Sequence, residues 1–297
     1  MIAVIINPIS GTGGRIDVAR ARAAQASALL ASRGSDPSNV FITERGGHAR
    51  EIALNAIGRG ISTVVAWGGD GTMNEVGAAL AFSGVALALV PSGSGNGLAR
   101  ELGIPFEPSA ALDVAFGGVE RTIDAGEVGE RLFFNIAGVG LDARVAHSFA
   151  MDGVHQRGFA RYMRLTMREL FAYQPDLLTI TTPSSSVSKT SLLVAIANGR
   201  QYGNGAVVAP RARLDDGRLD IVTIDARSLV RASLELPFVF MGMIEHVGGV
   251  KMETAESVEI TAPYPIVYHL DGEPIAGTLA ISARVRPRAL KMKVPAA

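Results

Sequence analysis

A glycine-rich turn carries the strongest structural signal in this chain, Trp67-Gly68-Gly69-Asp70-Gly71-Thr72-Met73-Asn74-Glu75. The residues before it, Thr63-Val64-Val65-Ala66, are apolar or β-branched, as in a buried strand. After it, apolar residues recur at helical spacing at Met73, Val76 and Leu80. The pattern predicts a strand, a glycine loop and a helix in direct succession.

Such a turn is suited to binding a phosphate group. Without Cβ atoms the backbone can approach an anion closely, and the first N–H groups of the following helix point at that anion. Asp70 lies inside this loop. A carboxylate that faces phosphates is useful when a divalent cation or a reacting hydroxyl lies between them, so the turn favours phosphoryl transfer.

Composition excludes several other classes of function. The 297 residues are 48% hydrophobic and 19% charged, which is typical of globular proteins with one large domain or two ordinary ones. Lys plus Arg and Asp plus Glu both number 28, so the overall charge does not support a nucleic-acid partner. The absence of cysteine excludes disulfides, zinc thiolate sites and cysteine nucleophiles, and it suits a cytoplasmic location.

No transmembrane segment is predicted. The first residues, Met1–Pro8, have no basic region and no cleavage site, so we expect a strand and not a signal peptide. The apolar run at 234–244 is interrupted by Glu235, Pro237 and Gly242. The chain is therefore expected to be soluble, or at most peripheral at a membrane.

The first part of the chain alternates strands with helices, which predicts a parallel sheet in an α/β domain. The predicted elements are strands at 2–6, 40–43, 62–67 and 85–90, and helices at 15–32, 48–57, from 73 onward and at 98–100. Ligands bind beyond the carboxyl ends of such strands. Two further glycine loops, Asn7–Arg15 and Pro91–Gly97, follow strands here. Each alone could be an ordinary turn, but three at strand ends favour one shared anion site.

From about Arg121 the pattern changes to short strands separated by turn signals, which predicts a mostly antiparallel, β-rich domain. The predicted strands are 122–128, 132–139, 177–182, 191–198, 219–224, 258–261, 266–270 and 278–283. Two helices are expected to interrupt them, one within Val154–Tyr173 and one from about Ser228 to Ile244. The expected domains are 1–121, with 286–297 as a candidate addition to it, and 122–285.

Together these motifs resemble the catalytic domain of the diacylglycerol kinase and sphingosine kinase family, particularly its small bacterial soluble lipid kinases. The motifs of the first domain are Asn7-Pro8-x-Ser10-Gly11, Gly68-Gly69-Asp70-Gly71-Thr72-x-Asn74-Glu75 and Pro91-x-Gly93-Ser94-x-Asn96. Two later segments resemble motifs of the family's second domain, Asp215-Asp216-Gly217-Arg218-Leu219-Asp220 and Leu270-Asp271-Gly272-Glu273-Pro274. The resemblance spans nearly the whole chain, whereas the Gly-Gly-Asp-Gly element alone is shared with NAD kinases and phosphofructokinases.

The resemblance implies a two-domain α/β fold, with a parallel-sheet nucleotide-binding domain of the NAD kinase and diacylglycerol kinase type and a C-terminal β-rich sandwich domain. ATP would be the phosphoryl donor. The family's ATP contacts correspond here to Asn7, Ser10, Gly11, Thr12, Gly13, Gly14, Thr43, Gly68, Gly69, Asp70, Gly71, Thr72, Met73, Asn74 and Ser94.

The resemblance also assigns the proton acceptor to Glu273, with Asp271 as its neighbour and as a candidate ligand for a cation or the substrate. Two carboxylates two residues apart project to the same side if the chain is extended. Without the other motifs we would prefer a solvated Asp-Gly hairpin turn, which is a routine signal. The assignment between Glu273 and Asp271 therefore stays open.

A magnesium loop is implied at Arg213–Arg218, with the carboxylate of Asp216 and the backbone carbonyls of Arg213 and Arg218 as ligands. Such hard oxygen ligands suit this ion. A polar hairpin turn is the alternative, and the resemblance leaves open whether the ion is catalytic or structural.

One position departs from the pattern of many diacylglycerol kinases. They carry an aspartate where this chain has Gly97, and that aspartate joins the acidic network around magnesium, whereas sphingosine kinases have a small residue there. The class of lipid is thus open. In sphingosine kinases the aspartate of the Gly-Asp-Gly element is the proposed base, which makes Asp70 a third candidate.

Four arginines share one face of the helix predicted within 154–173, namely Arg157, Arg161, Arg164 and Arg168. This face could lie on an anionic membrane, or it could be the exposed basic side of a packed helix. The five histidines show no metal-ligand spacing and are given no catalytic role.

The sequence therefore predicts an ATP- and magnesium-dependent lipid kinase of phospholipid metabolism, which phosphorylates the hydroxyl of a diacylglycerol-like lipid at a membrane surface. A sphingoid base or another amphiphilic alcohol is the alternative acceptor. A non-catalytic nucleotide or lipid sensor is the alternative from another class, although the acids at Asp70, Asp216, Asp271 and Glu273 argue against it. The expected location is the cytoplasm, peripheral at the inner face of the membrane, and a homodimer is left open.

Overall fold

The computed structural model describes residues 1–11, 15–151, 159–227 and 229–296. Within them the chain divides into two compact units. The first comprises Met1–Ile123 and Arg288–Ala297, and the second comprises Asp124–Pro287. No helix in the described part of the chain combines the length and the apolar character that crossing a membrane requires.

The helices and strands follow one another in an order that begins as strict α/β alternation and becomes β-rich. They are β1 (Ile2–Ile6), α1 (Ile16–Ser32), β2 (Val40–Ile42), α2 (His48–Gly58), β3 (Thr63–Gly68), α3 (Asp70–Leu80), β4 (Ala86–Pro91), α4 (Gly97–Glu101), α5 (Pro108–Gly117), β5 (Val119–Val128), β6 (Arg131–Phe133), β7 (Ile136–Gly140), α6 (Leu141–Met151), α7 (Phe159–Ala172), β8 (Asp176–Thr181), β9 (Ser186–Ala197), β10 (Leu219–Asp225), α8 (Leu229–Phe240), β11 (Val250–Ala255), β12 (Ser257–Leu270) and β13 (Glu273–Val294). Single 3₁₀ turns lie at Gly203–Gly205 and Ile244–His246.

The first unit is built on a parallel sheet in the order β2-β1-β3-β4. The end of β13 adds to its edge, where Lys291 and Met292 pair in parallel with Ala86 and Leu87. Strands β3 and β4 are buried along their whole length, as expected for a parallel sheet with helices on both faces. The loops after β1, β3 and β4 therefore leave the same edge of one sheet.

Helix α3 begins at Asp70, three residues before the expected Met73. Gly69 is extended, and its carbonyl accepts the N–H of Met73 at 3.0 Å, which closes the first helical turn. An acidic residue in this turn also interacts favourably with the positive end of the helix dipole. The glycine loop is consequently tighter than the sequence suggested, because β3 ends at Gly68.

The second unit is an antiparallel sheet in the order β11-β10-β9-β7-β12-β13, and β8 pairs with both β9 and β12. Two clusters of buried apolar residues lie in this unit. One contains Phe133, Ile260 and Ile281, and the other contains Leu141 and Leu170 from α6 and α7. The predicted fold class, an α/β nucleotide-binding domain followed by a β-rich sandwich domain, is confirmed.

Several elements of the second unit differ from the sequence prediction. The strands expected at 258–261 and 266–270 form one strand, β12, whose register shifts between Thr261 and Ile266. This irregularity accommodates Pro263 and Pro265, which lie between the two predicted segments. The single strand expected at 132–139 is divided into β6 and β7, and β11 and α6 were not predicted. Helix α5 of the first unit was not predicted either.

Candidate functional site

The three glycine loops of the first unit are tied together by hydrogen bonds. The N–H of Ser92 donates to the carbonyl of Gly68 at 2.8 Å, and the N–H of Gly69 donates to the hydroxyl of Ser10 at 3.1 Å. The amide of Asn7 donates to the Thr72 hydroxyl at 2.8 Å. The loops after β1, β3 and β4 thus form one connected structure at the carboxyl edge of the sheet.

The close approach of these loops requires glycine at two positions. A Cβ on Gly93 would lie 2.7 Å from the Cα of Gly69, and a Cβ on Gly11 would lie 2.2 Å from the Ser92 carbonyl oxygen. Gly11 also has a φ of +71°, in the left-handed region that favours glycine. Side-chain-free backbone beside the first turn of α3 is the kind of cradle that accepts a phosphate group. The residues present therefore fit the phosphates of a nucleotide.

Asp70 connects the second loop to the third. Its two carboxylate oxygens accept the N–H groups of Asn96 and Gly97, each at 2.8 Å. Asn96 has a φ of +52°, and its side chain bonds both the N–H and the carbonyl of Gly93. The carboxylate of Asp70 therefore already occupies the N-terminus of α4, and Gly97 takes part through its backbone.

The other predicted nucleotide contacts differ in their exposure to solvent. Thr43 follows β2, is buried, and donates its N–H to the carbonyl of Ile6 at 2.9 Å. Met73 is also buried, whereas Gly71 is exposed and Ser94 is half-buried. Asn74 is half-buried in α3. The predicted contacts Thr12, Gly13 and Gly14 lie outside the described residues.

Arg22 and Trp67 lie at this site but were not among the predicted nucleotide contacts. A guanidinium nitrogen of Arg22 donates to the carbonyl of Ser10 at 3.1 Å, and its central carbon lies 5.6 Å from the ring centre of Trp67. Burial lowers the pKa of Arg22 from its usual value. Arg22 is one of two arginines within α1, and only the folded chain shows that it contacts the first loop.

In the second unit, the predicted base motif forms the tight turn between β12 and β13. Asp271 and Gly272 have φ values of +49° and +84°, and Leu270 pairs with Glu273 across the turn. The carboxylate of Asp271 accepts three backbone N–H groups, from Phe134 at 2.9 Å and from two following residues. These two are Asn135 at 2.9 Å and Ile136 at 3.1 Å.

Glu273 has a different environment from Asp271. Its side chain is 59% exposed, and one carboxylate oxygen lies 2.9 Å from a guanidinium nitrogen of Arg131. The segment is not extended, because Asp271 adopts the left-handed conformation. Asp271 is therefore bonded to the backbone that leads into β7, whereas Glu273 presents an accessible carboxylate.

The predicted magnesium loop is a turn that directly precedes β10. Asp216 is exposed, and one of its oxygens accepts the N–H of Arg218 at 3.1 Å. Gly217 donates its N–H to Asp124 at 2.7 Å. Burial, followed by the charge of Asp216, raises the pKa of Asp220 to about 6. Oxygen donors of the kind predicted here, a carboxylate and backbone carbonyls, are chemically suited to a hard cation.

No group of three or more histidine, cysteine or acidic side chains arranged to hold a metal ion is found in the described ranges. The magnesium set expected from the resemblance contains a single carboxylate, that of Asp216, and two backbone carbonyls, from Arg213 and Arg218. It is therefore not a cluster of that kind, and magnesium binding stays a prediction.

The basic face expected on the helix at 154–173 is described only in part. Arg164 and Arg168 are exposed on α7, and Arg168 forms an ion pair with Glu169 at 3.0 Å. Arg157 lies outside the described residues, and so does the side chain of Arg161.

An α/β unit with three joined glycine loops, followed by an antiparallel unit with an acidic turn, defines a kinase of the fold shared by NAD kinases and diacylglycerol kinases. Residues 1–128 match the diacylglycerol kinase catalytic domain, and residues 135–294 match the YegS C-terminal NAD kinase beta sandwich-like domain. The chain belongs to the YegS-like lipid kinase family and is a phosphotransferase.

Two relatives illustrate this assignment. The chain is 33% identical to a probable lipid kinase YegS-like protein of Pseudomonas aeruginosa, over 86% of this chain and 84% of that protein. A protein of the same description from Yersinia pseudotuberculosis is 32% identical over 86% and 87% of the two chains.

The fold resembles that of a diacylglycerol kinase from Bacillus anthracis, with a TM-score of 0.76, 17% identity and coverage of 99% and 96% of the two chains. It also resembles an NAD kinase from Archaeoglobus fulgidus in complex with ATP, with a TM-score of 0.51, 11% identity and coverage of 99% and 93%. The resemblance noted in the sequence is confirmed.

Proposed function

We propose that this protein transfers the γ-phosphate of ATP, in the presence of magnesium, to the hydroxyl of a diacylglycerol-like lipid. The observation that carries the proposal is the connected set of glycine loops in the first unit, where Gly69 and Gly93 approach closely enough to exclude any side chain. Membership of the lipid kinase family supports a lipid acceptor.

The first unit would bind the triphosphate through its backbone. N–H groups in the first turn of α3 have no acceptor within the helix, so they can bind a phosphate oxygen. Ser10, Asn7 and Thr72 fix the loops through their mutual hydrogen bonds. Phosphoryl transfer depends mainly on positioning and on stabilising charge, and a cradle held in this way supplies both.

Glu273 is the proton acceptor that the geometry favours. Asp70 and Asp271 each use both carboxylate oxygens to accept backbone N–H groups. Glu273 has an exposed carboxylate, and its ion pair with Arg131 is a surface pair that can open at little cost. It would accept the proton of the lipid hydroxyl as that oxygen attacks the γ-phosphorus, and the bond from phosphorus to the bridging oxygen breaks to release ADP.

Magnesium would be held by the carboxylate of Asp216 and the carbonyls of Arg213 and Arg218. When bound there, the ion would supply positive charge beside Asp216 and Asp220, whose like charges otherwise repel. The role of this chain is to keep the turn in shape, through the hydrogen bond between Gly217 and Asp124.

The lipid would be met at a membrane surface. On the second unit, large apolar side chains are exposed at Phe171, Leu234 and Met241, which are 61%, 70% and 66% accessible. Exposed arginines, Arg164 and Arg168, lie on α7. Apolar and basic side chains on one unit are the combination that binds an anionic bilayer surface peripherally.

A sphingoid base is the second candidate acceptor, favoured by one observation. Position 97 is a glycine, whereas many diacylglycerol kinases carry an aspartate there and sphingosine kinases carry a small residue. The chain therefore lacks that additional carboxylate, and the N–H of Gly97 binds Asp70 instead.

Transfer of labelled γ-phosphate tests the function directly. The protein is incubated with ATP, magnesium and mixed micelles that contain diacylglycerol, monoacylglycerol, sphingosine or ceramide, with a lipid-free control. We expect labelled product from diacylglycerol, and none when magnesium is chelated. Product from sphingosine alone would replace the acceptor by a sphingoid base, and binding of ATP without product from any lipid would contradict the kinase proposal.

Replacing Arg22 with glutamine is expected to weaken ATP binding about 10-fold, because a partly buried cation beside the phosphate loop is lost. Trp67 is the chain's one tryptophan and is 1% exposed at the end of β3, so its fluorescence reports binding at this edge. Titrations with ATP and with AMP give the two dissociation constants. The loss should be larger for ATP, which carries more phosphate charge.

Arg33→Gln is the matched control for this variant. Arg33 follows α1 directly, its guanidinium lies 5.6 Å from the ring centre of Phe116, and it pairs with Asp113 at the surface. Removal of this arginine should leave both dissociation constants unchanged. Equal affinity of wild type and Arg22→Gln for ATP would show that Arg22 has no part in nucleotide binding.

A further inference from the structure

A buried histidine lies one residue before the turn that carries Glu273. His269 is 2% exposed on β12, between Gly138 of β7 and Pro274 of β13 in the sheet register. It shows no metal-ligand spacing in the sequence, and the mechanism proposed above does not use it. Its ring nevertheless forms a hydrogen bond with the turn, at Gly272.

The imidazole of His269 joins the turn to a partly buried acid, Asp142. The N–H of Gly272 donates to Nδ1 at 3.2 Å, so Nδ1 is an acceptor and the ring proton belongs on Nε2. Nε2 lies 3.3 Å from Oδ2 of Asp142, in the first turn of α6. The acid therefore fixes the orientation of the ring, and the ring holds the residue next to Glu273.

Asp142 is itself held from two sides. The hydroxyl of Tyr202 donates to the same carboxylate oxygen at 2.6 Å, and the other oxygen accepts the N–H of Ala143 at 2.8 Å. The rings of Tyr202 and His269 are 5.9 Å apart. The chain of hydrogen bonds thus runs from Tyr202 through Asp142 and His269 to Gly272.

Strand β7, at Gly138, leaves room for the hydrogen bond between His269 and Asp142. A Cβ on Gly138 would lie 1.9 Å from the Asp142 carboxylate oxygen and 2.7 Å from Nε2 of His269. Only glycine fits at this position without displacing the acid or the ring. The hydrogen bond between His269 and Asp142 therefore also depends on the glycine at position 138.

We propose that His269, oriented by Asp142 and Tyr202, is a positioning residue that fixes the turn carrying the carboxylate of Glu273. His269 is buried, and Asp142 and Tyr202 are partly buried. Placing an acid, an imidazole and a phenol there costs more than apolar packing of the same volume, so stability alone does not account for them. The inference rests on the proposed function, because it assumes that Glu273 accepts the proton.

Two variants of His269 separate its two hydrogen bonds. In His269→Asn the amide oxygen can take the place of Nδ1 and still accept from Gly272. In His269→Gln the amide nitrogen can take the place of Nε2 and still donate to Asp142, while the acceptor for Gly272 is lost. Both remove the ring, so they share the cost of lost packing, and their difference isolates the bond to the turn.

The measurements are kcat and KM for lipid phosphorylation, together with hydrogen exchange of the peptide that spans the turn. His269→Gln should lower kcat roughly 10-fold or more and speed exchange at Gly272, with KM for ATP unchanged, because small displacements of a reacting group have large effects on rate. His269→Asn should retain most of the activity and protection. Equal losses in the two variants, or a normal kcat in His269→Gln, would overturn the proposal.

Two further outcomes are distinguishable. If both histidine variants fail to fold, Tyr202→Phe decides, since it removes a single hydroxyl from the chain of bonds. A several-fold lower kcat would support the proposal, and an unchanged kcat would overturn it. If the wild-type protein transfers no phosphate to any lipid, the proposed function fails and the proposal for Glu273 with it. Hydrogen exchange would then still show whether His269 holds the turn.

Discussion

Glu273→Gln is expected to lower kcat for lipid phosphorylation by about 100-fold or more, while leaving the stability of the protein unchanged. Glutamine keeps the size and shape of the side chain but cannot accept the hydroxyl proton. The side chain is 59% exposed, and its ion pair with Arg131 lies at the surface, where such pairs contribute about 0–1 kcal/mol. The loss should therefore be confined to turnover.

The measurement is kcat at saturating ATP and lipid, with the thermal midpoint of each variant recorded in parallel. Arg131→Gln is the matched control, because it breaks the same ion pair and leaves the carboxylate in place. We expect the control to retain most of the activity. Normal turnover by Glu273→Gln at saturating lipid would remove Glu273 as the proton acceptor and return attention to Asp70.

The sequence was most informative where a local pattern has one structural meaning. An apolar strand, a run of glycines and a helical repeat follow one another within about a dozen residues, and each pattern supports the prediction of the next. The turn at Gly68–Asp70 could therefore be located from the sequence. The helix start was misplaced because the extended Gly69 and the acid at Asp70 allow α3 to begin early. Local patterns therefore predict elements better than they predict their ends.

Helix α5 was missed although its sequence carries a start signal. Helix α5 begins at Pro108, and the Glu107 side chain caps it by accepting the N–H groups of Ser109 and Ala110. Proline in the first helical turn after a capping acid is a recognisable helix start. In β12 the opposite error arose, because two strands were predicted on either side of Pro263 and Pro265 where the structure has one irregular strand.

The contacts that define the candidate site lie beyond any local pattern. Asp271 binds backbone groups at Phe134–Ile136, more than a hundred residues earlier in the chain. The carboxylate of Asp70 likewise binds Asn96 and Gly97, in the loop after a different strand. A sequence motif shows that such acids are present, but only the fold shows which have oxygens already engaged. That difference separates Glu273 from Asp70 and Asp271.

Asp271→Asn is expected to destabilise the second unit by about 3 kcal/mol. Glu273→Gln, by contrast, is expected to lower turnover and leave stability unchanged. Three backbone N–H groups, at Phe134, Asn135 and Ile136, donate to this carboxylate, and all three residues are buried. Asparagine offers a single acceptor oxygen, and its NH₂ group would face an N–H. A buried donor that loses its acceptor costs roughly 1–3 kcal/mol.

Asparagine also keeps the backbone conformation, since it tolerates the left-handed region in which Asp271 lies at φ +49°. The destabilisation would thus report the lost acceptor and not backbone strain. Chemical denaturation gives the free energy of unfolding, and the thermal midpoint should fall by roughly 6–12 °C. Glu273→Gln, two residues away in the same turn, is the control that should not move either quantity.

Turnover by the folded fraction of Asp271→Asn completes the comparison. If Asp271 mainly anchors the turn, its folded fraction should keep more activity than Glu273→Gln, because the carboxylate of Glu273 is still present. A variant with normal stability and a kcat as low as that of Glu273→Gln would instead place Asp271 in proton transfer. Asp271 would then have the role that the hydrogen bonds indicate for Glu273. An acid that accepts three N–H groups would also have to accept the proton of the hydroxyl.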